Sequence, residues 1–356
     1  MTGTSMDGID VALVKIGGVG LDMTVSLEAT HSKPLRSLRK LLRPMAREKR
    51  LPAEKFATYA QMLALTHVVA IRDLLKEHGG DVTPDFIAVH GQTVFHQRPV
   101  TLQLMDPWPV ATEFGVPVVF DFRRADMAMG GEGAPMTPIA DFILFRDPDE
   151  TRCVLNLGGF ANYTWLPKTG RQGADALSLV RGGDVCACNQ LLDAVARKCF
   201  KKRYDKGGEF AMAGDVDEDA IEMLQMMLDM QAEGGRSLGT GDETTNWART
   251  FAHMTSGPDL ARTACCAIAD TVARRIGEVD RVIVAGGGAC NAALMDELSS
   301  RIRNIELSDR HGIPFAYREA IAMAMLGALC EDRVPIMLPQ VTGCYETVVS
   351  GAWARP

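Results

Sequence analysis

The sequence predicts an α/β protein of two domains, and three observations carry that prediction. The 356 residues exceed what a single hydrophobic core usually organises. Apolar runs of strand length alternate with segments of helical period in both halves, the pattern of sheets covered by helices. Glycine-rich turns adjoin three of those runs: Gly3 and Gly8 before Val11–Ile16, Gly158-Gly159 after the Leu155 run, and Gly286-Gly287-Gly288 after Arg281–Ala285. A glycine turn beside a strand lets backbone amides approach an anion closely.

In order along the chain, Val11–Ile16 and Met23–Ala29 read as strands. The basic stretch Arg36–Arg50, with Lys40, Arg43, Arg47 and Lys49, reads as an exposed helix rather than a nucleic-acid patch. Ala53–His78 is a long helix with Phe56, Tyr59, Ala60, Leu63, Val68 and Leu75 at roughly helical spacing, so it should pack on a sheet. Phe86–His90 is a strand leading into a His90 loop, and Thr101–Leu104 and Val116–Phe120 complete a mixed sheet. The glycine- and methionine-rich segment Asp126–Pro138 breaks the pattern. The domain junction is placed there, giving residues 1–133 and 134–356.

The second half repeats the opening of the first: a strand around Leu155, a glycine turn and a strand Ala161–Leu166, then a helix Asn189–Phe200. Helices Asp217–Ala232 and Pro258–Gly277 follow, the former with Met223, Met226 and Met227 read as core. Strand Arg281–Ala285, helix Asn291–Arg303 with Asn291 as N-cap, strand Ile305–Ser308 and helix Ala316–Leu329 finish the chain. The longest apolar run, Ala320–Cys330, is too short to span a bilayer and reads as a buried helix.

Composition narrows the classes. A net charge of −7 without a dense basic block argues against nucleic acid as a partner, and no apolar run argues for a membrane. The N-terminus, acidic and glycine-rich, lacks the order of a signal peptide. Nine cysteines, an odd number irregularly spaced, suit a reducing compartment, so a cytoplasmic protein is expected. Cys186-x-Cys188 and Cys265-Cys266 lack zinc-site spacing. The glycine clusters fit neither a Walker loop nor the spaced-glycine dinucleotide fingerprint, which disfavours an oxidoreductase.

Ordered landmarks then span nearly the whole chain: Gly3-Thr4-Ser5-Met6-Asp7-Gly8-Ile9-Asp10, His90-Gly91-Gln92-Thr93, Asp121-Phe122-Arg123 through Gly130-Gly131-Glu132-Gly133-Ala134-Pro135, Asn156-Leu157-Gly158-Gly159-Phe160-Ala161-Asn162, and Gly286-Gly287-Gly288-Ala289-Cys290-Asn291. Gly312-Ile313-Pro314 with Glu319-Ala320, and Val341-Thr342-Gly343, complete the set. In these the chain resembles the anhydro-N-acetylmuramic acid kinase family of the actin, sugar kinase and Hsp70 superfamily. The resemblance implies a two-domain actin-like ATPase fold, duplicated and ribonuclease H-like, with an interdomain active-site cleft that closes on its substrates. It also allows the last stretch of about fifteen residues to return to the first domain.

The resemblance implies an ATP-dependent kinase that opens and 6-O-phosphorylates 1,6-anhydro-N-acetylmuramic acid, a small-molecule sugar of cell-wall recycling, with Mg²⁺ as cofactor; a homodimer is a family-level expectation. It makes Asp184 the base that deprotonates the attacking water. Gly3, Thr4, Ser5, Asp7, Gly8 and Asp10 would meet the γ-phosphate, with Asp7 and Asp10 holding Mg²⁺. Asn156, Gly158 and Gly159 would meet the β-phosphate, and Gly286, Gly287, Gly288 and Ala289 the ribose and adenine. His90, Gln92, Thr93, Arg123, Asp126 and Glu319 would lie on the sugar side. By residue type alone Asp184 could equally cap a helix, Glu319 could sit favourably near a helix N-terminus, and His90 could be structural.

The chain also departs from the family pattern. Cys186-Ala187-Cys188 stands where the family has Gly-Pro-Gly, so side chains there are expected to alter loop shape or occupy ligand space. Leu238-Gly239-Thr240-Gly241-Asp242-Glu243 lacks the arginine of the family segment Thr-Gly-Arg-Glu, and Glu132 replaces a glutamine. The strand expected ahead of Gly3 is not in the sequence. These departures leave open a related kinase for another anhydro- or reducing sugar, or a catalytically weak nucleotide- or sugar-binding sensor.

Overall fold

In the computed structural model, which describes all residues except 4–5, 47–49, 81, 171–172, 235–236 and 240, the chain forms two units. Unit 1 comprises Met1–Leu144 and Tyr317–Pro356, and unit 2 comprises Phe145–Ala316. The sequence reading divides the chain after residue 133. In the structure the first unit runs on through most of the Pro138–Phe145 helix and takes back the chain from Tyr317. One cause is a buried ion pair: Arg318 donates from Nε to Asp141 at 2.8 Å and from Nη2 to Thr137 at 3.0 Å, tying the two segments together.

Unit 1 opens with an antiparallel pair, β1 (Gly8–Gly17) and β2 (Thr24–Pro34). Next come β3 (Ile87–Ala88), a hairpin of β4 (Gln92–Gln97) and β5 (Val100–Leu104), and β6 (Val118–Phe120). The continuous mixed sheet expected here is divided into three ladders among the described residues. They are β1–β2, β4–β5, and a trio in which β6 lies between parallel β3 and a C-terminal strand, Ala352–Ala354. No ladder joins β1 to β3 among the described residues. The edge of β1 meets residues 1–2 instead: Asp10 N–H donates to Met1 O at 2.9 Å, and Thr2 bridges Ile9.

The Ala53–His78 helix follows the predicted limits, and its apolar spacing does what periodicity implied. Leu63 and Val68 are buried, while Phe56, Tyr59, Ala60 and Leu75 pack against the same cores. In the Arg36–Ala46 helix, Leu38, Leu42 and Met45 face inward at helical spacing. Arg47 and Lys49 of that basic stretch lie outside the described residues. The Arg318–Glu331 helix is buried nearly all round and packs on β1 and β3. Its Gly327 permits that approach: a Cβ there would stand 2.6 Å from the Phe86 ring and 2.9 Å from Val119.

Unit 2 is built on one five-stranded sheet. β7 (Arg152–Leu157), β8 (Phe160–Leu166) and β9 (Arg181–Ala187) form an antiparallel meander. β10 (Arg281–Ala285) pairs parallel with β7, and β11 (Ile305–Leu307) parallel with β10, giving the order β11-β10-β7-β8-β9. The unit 1 strand Ala352–Ala354 completes the numbering as β12. A meander extended from its first strand by two parallel strands is the ribonuclease H-like arrangement. The Gly257–Ile276 helix crosses from β9 toward β10, and the Ala292–Arg301 helix connects β10 to β11.

Two expectations for this unit change. Residues around Asp184 read as a loop, but Arg181–Ala187 is the edge strand β9. Gly182, Gly183 and Asp184 are poor strand formers, and the ladder to β8 overrides that preference, pairing Asp184 with Asn162. Met223 and Met226 read as core, but they are 49% and 64% exposed on the Glu218–Glu233 helix. Its inward face is made by Ala220, Leu224, Leu228 and Ala232 instead, leaving Met227 at the margin.

Candidate active site

In unit 2 three distant segments meet at the ends of β7 and β10. Asn156 closes β7 opposite Ala285, the last residue of β10. Gly286 follows with φ +86°, and a Cβ on it would stand 2.6 Å from Asn156 Oδ1 and 2.8 Å from Leu157 O. A Cβ on Gly288 would meet Leu157 Cβ at 2.6 Å and Asn189 Oδ1 at 3.0 Å. Only glycine fits either position. Asn189 stitches the set together by donating from Nδ2 to Leu157 O at 2.9 Å. The carbonyls of Gly158 and Gly159 accept from the Asn189, Cys188 and Gln190 amides at 3.0–3.2 Å, satisfying the N-terminus of the Asn189–Phe200 helix. Asn291 caps the Ala292–Arg301 helix as predicted, accepting from Leu294 N–H at 3.1 Å.

Asp184 lies on β9, one edge of the same sheet. It does not cap the following helix, because Cys188 holds that position and the glycine carbonyls take the free amides. Its Oδ2 accepts from Leu238 N–H at 2.7 Å.

In unit 1 the sugar-side candidates form a buried network. His90 is held neutral: Nδ1 donates to Gly91 O at 3.0 Å, and Nε2 accepts from Arg123 Nε at 3.1 Å. Burial, then the Arg123 charge, push its pKa well below the usual histidine range. Arg123 also donates to Gly133 O at 2.8 Å. Asp126 lies close by, at the 130–133 loop. Its carboxylate is buried and accepts from Gly133 N–H at 2.8 Å and from Thr342 Oγ1 at 2.7 Å, so it shapes the 130–133 loop.

Gln92 and Thr93 begin β4 rather than a loop. Gln92 is buried and donates to Gly3 O at 3.3 Å, bracing the first glycine turn. Thr93 Oγ1 accepts from Gln103 at 3.4 Å, a long contact. Glu319 lies in the first turn of the Arg318–Glu331 helix. Burial pushes its carboxyl up, opposed by the charges of Arg318 and Arg123 and reinforced by Asp10 and Asp141. Asp7 pairs with Arg39 at 2.8 Å, and Asp10 accepts from the Ser32 hydroxyl. Thr4 and Ser5, expected at the γ-phosphate, lie outside the described residues.

A family model described as anhydro-N-acetylmuramic acid kinase matches residues 1–355. The chain belongs to the anhydro-N-acetylmuramic acid kinase family. Relatives bearing that name are similar over almost their full lengths. The Synechococcus elongatus protein is 34% identical, covering 99% of this chain and 97% of the relative. The Salinibacter ruber protein is 33% identical over 100% and 95%, and the Vibrio vulnificus protein 34% over 96% and 94%.

Within this kinase family the cysteines of residues 186–188 need a different account from the one the sequence suggested. Both side chains are fully buried in the unit 2 core, beside Leu155, Val185, Leu191 and Cys265. They occupy core space as small hydrophobes, and the support they lent to another sugar or to a sensor falls away. Burial pushes the Cys188 thiol up to about 12 and the Cys186 thiol well above the ordinary range. Cys290, beside the Gly286–Gly288 turn, is exposed. In the native protein, maleimide at neutral pH should therefore label Cys290 and spare Cys186 and Cys188. Peptide mapping reads the result, and native labelling at residue 186 or 188 would contradict the buried placement.

Sequence reasoning missed the Leu238 amide, Gln231 and the Arg318–Asp141 pair. Thr342 stood within a quoted landmark and Asn189 at the start of a predicted helix, and neither carried another signal.

Proposed function

We propose that the chain is an ATP-dependent kinase that hydrolytically opens 1,6-anhydro-N-acetylmuramic acid and phosphorylates the freed O6, serving cell-wall sugar recycling. The observation that carries this reading is the placing of Asp184 on the edge of the sheet whose strand ends bear the Asn156, Gly158-Gly159 and Gly286–Gly288 cradle. Asp184 takes a proton from water, and the water oxygen bonds to the anomeric carbon as the C1–O6 bond breaks. O6 then attacks the γ-phosphorus of ATP, and ADP leaves. One water, one ATP and one anhydro-sugar give one reducing sugar 6-phosphate, one ADP and one proton, which Asp184 returns to solvent. Positioning and charge stabilisation do most of the work in such a transfer.

Gly3, Gly8, Asp7 and Asp10, with Thr4 and Ser5, serve the γ-phosphate in this reading. Asn156, Gly158 and Gly159 serve the β-phosphate, and Gly286 to Ala289 the nucleoside. Neutral His90 offers Nε2 only as an acceptor already held by Arg123, so it fixes the arginine for the sugar side. Gln92, Thr93, Arg123 and Glu319 complete that side, with Asp126 acting through its loop. The oxygen donors of Asp7 and Asp10 suit Mg²⁺, which keeps several waters and needs only one or two carboxylates. Bound with ATP, that ion supplies neutralisation of phosphate charge.

The test is ADP release from Mg-ATP with the anhydro-sugar, together with ³¹P and ¹³C spectra of the product. One ADP per sugar opened, with a reducing 6-phosphate, is expected. ADP formation without the ring-opened product, or none with this sugar, would overturn the reading.

A further inference from the structure

The hydrogen bond to Asp184 comes from a residue 54 positions further along the chain. Leu238, whose N–H makes that bond, is buried in the core. Two residues after it bond to each other: Gly239 N–H donates to the Asp242 carboxylate at 2.9 Å, and Asp242 N–H donates back to Gly239 O at 3.1 Å. Gln231, near the end of the Glu218–Glu233 helix, reaches both this pair and the strand that bears Asp184. Its Nε2 donates to Asp242 O at 2.7 Å, and its Oε1 accepts from Ala187 N–H, at the end of β9, at 2.9 Å.

We propose that Gln231 is a positioning residue for the catalytic base. Its amide clamps the end of β9 to the Gly239–Asp242 pair, and so sets where the Leu238 amide meets the Asp184 carboxylate. This rests on the assignment of Asp184 as the base. The clamp is specific to an amide, because one end must accept from a backbone N–H while the other donates to a carbonyl. A carboxylate at this position can do only the first, and a thioether neither. Edge strand β9 has a ladder partner on one side only, and this bond satisfies the Ala187 N–H at its end. Small displacements of a reacting group are costly in rate: a shift of about 1 Å can lower it ~100-fold.

The experiment compares Gln231→Met and Asp184→Asn with the parent chain, measuring kcat, KM for Mg-ATP and hydrogen exchange of the peptide holding Leu238. Expected for Gln231→Met is a fall in kcat of about tenfold or more, with KM for Mg-ATP held within about twofold. Exchange at Leu238 should quicken while the Gly257–Ile276 helix keeps its protection. An unchanged kcat, or a KM for Mg-ATP that rises as kcat falls, overturns the positioning role. If Gln231→Met fails to fold, Gln231→Glu keeps the acceptor for Ala187 N–H, loses the donor to Asp242, and meets the same criteria. Asp184→Asn separates the two possible failures. If it stays active, the base assignment falls and this proposal with it. An inactive Asp184→Asn beside a fully active Gln231→Met overturns the positioning role alone.

Discussion

Asp184→Asn should lower kcat for the sugar-dependent release of ADP by about 10²–10⁴-fold, the range that a positioned general base contributes. The argument is one of chemistry at constant shape. Asparagine is nearly isosteric and keeps an oxygen that can still accept the Leu238 N–H, now 2.7 Å from Oδ2. The ladder that pairs residue 184 with Asn162 is untouched. What disappears is the basic oxygen. Stability should therefore move by less than about 1 kcal/mol, and KM for ATP should stay within a few-fold. Initial rates and a urea titration on the same preparation check both parts. A variant that keeps a tenth or more of the parent rate would place the base elsewhere.

The second half of the chain was legible because its strands announce themselves. Cys153–Leu157 and Arg281–Ala285 are apolar runs stopped by glycine, and helices with ordinary periodicity separate them. β9 was not legible, since Gly182-Gly183-Asp184 carries no strand signal and only its ladder with β8 makes it one. The same holds for β4, where Gln92 and Thr93 open a strand although the sequence around them reads as a loop.

Within the site, glycines Gly286 and Gly288 could be read because close approach demands them. Asp184 could be named only through family resemblance, and its environment could not be read at all. Leu238 is 54 residues away, and nothing local marks its amide as the partner. Cys186 and Cys188 show the converse error. Viewed as replacements for glycine they pointed toward ligand, whereas both are buried in the core, Cys186 on β9 and Cys188 at the cap of the next helix. The side of a strand on which a residue falls depends on register, and register is a tertiary property.

Arg318→Met should destabilise the protein by about 3–5 kcal/mol, the cost of leaving one member of a buried ion pair without the other. Arg318 and Asp141 are 2% and 0% exposed and lie 177 residues apart in the chain. Nε donates to Asp141 Oδ1 at 2.8 Å, Nη2 reaches Oδ2 and Thr137, and Nη1 is buried with no hydrogen-bond partner among the described residues. Without the arginine the Asp141 carboxylate loses its counter-charge at a depth where water cannot replace it, so the single variant carries much of the desolvation cost.

The pair itself need not be a net source of stability. Two charges leave water to form it, and the unpartnered Nη1 costs roughly 1–3 kcal/mol more. Arg318→Met combined with Asp141→Leu should therefore recover most of the loss, and buried pairs replaced in this way can gain about 1–4 kcal/mol. Urea unfolding of the two singles and the double, treated as a cycle, measures the coupling. Singles that cost less than about 1 kcal/mol each would mean the pair is not buried as described.

The cycle also bears on activity. Arg318 precedes Glu319, and its charge opposes the burial that raises the Glu319 carboxyl. Losing Arg318 removes the larger influence and losing Asp141 the smaller, opposing one, so a stable double variant should move the Glu319 carboxyl further up. If an ionised Glu319 serves the sugar, kcat/KM for the sugar should fall in that variant and rise again with pH. A stable double variant with the parent pH profile would remove Glu319 from the reaction, leaving the ion pair a purely architectural tie between Asp141 and the Arg318–Glu331 helix.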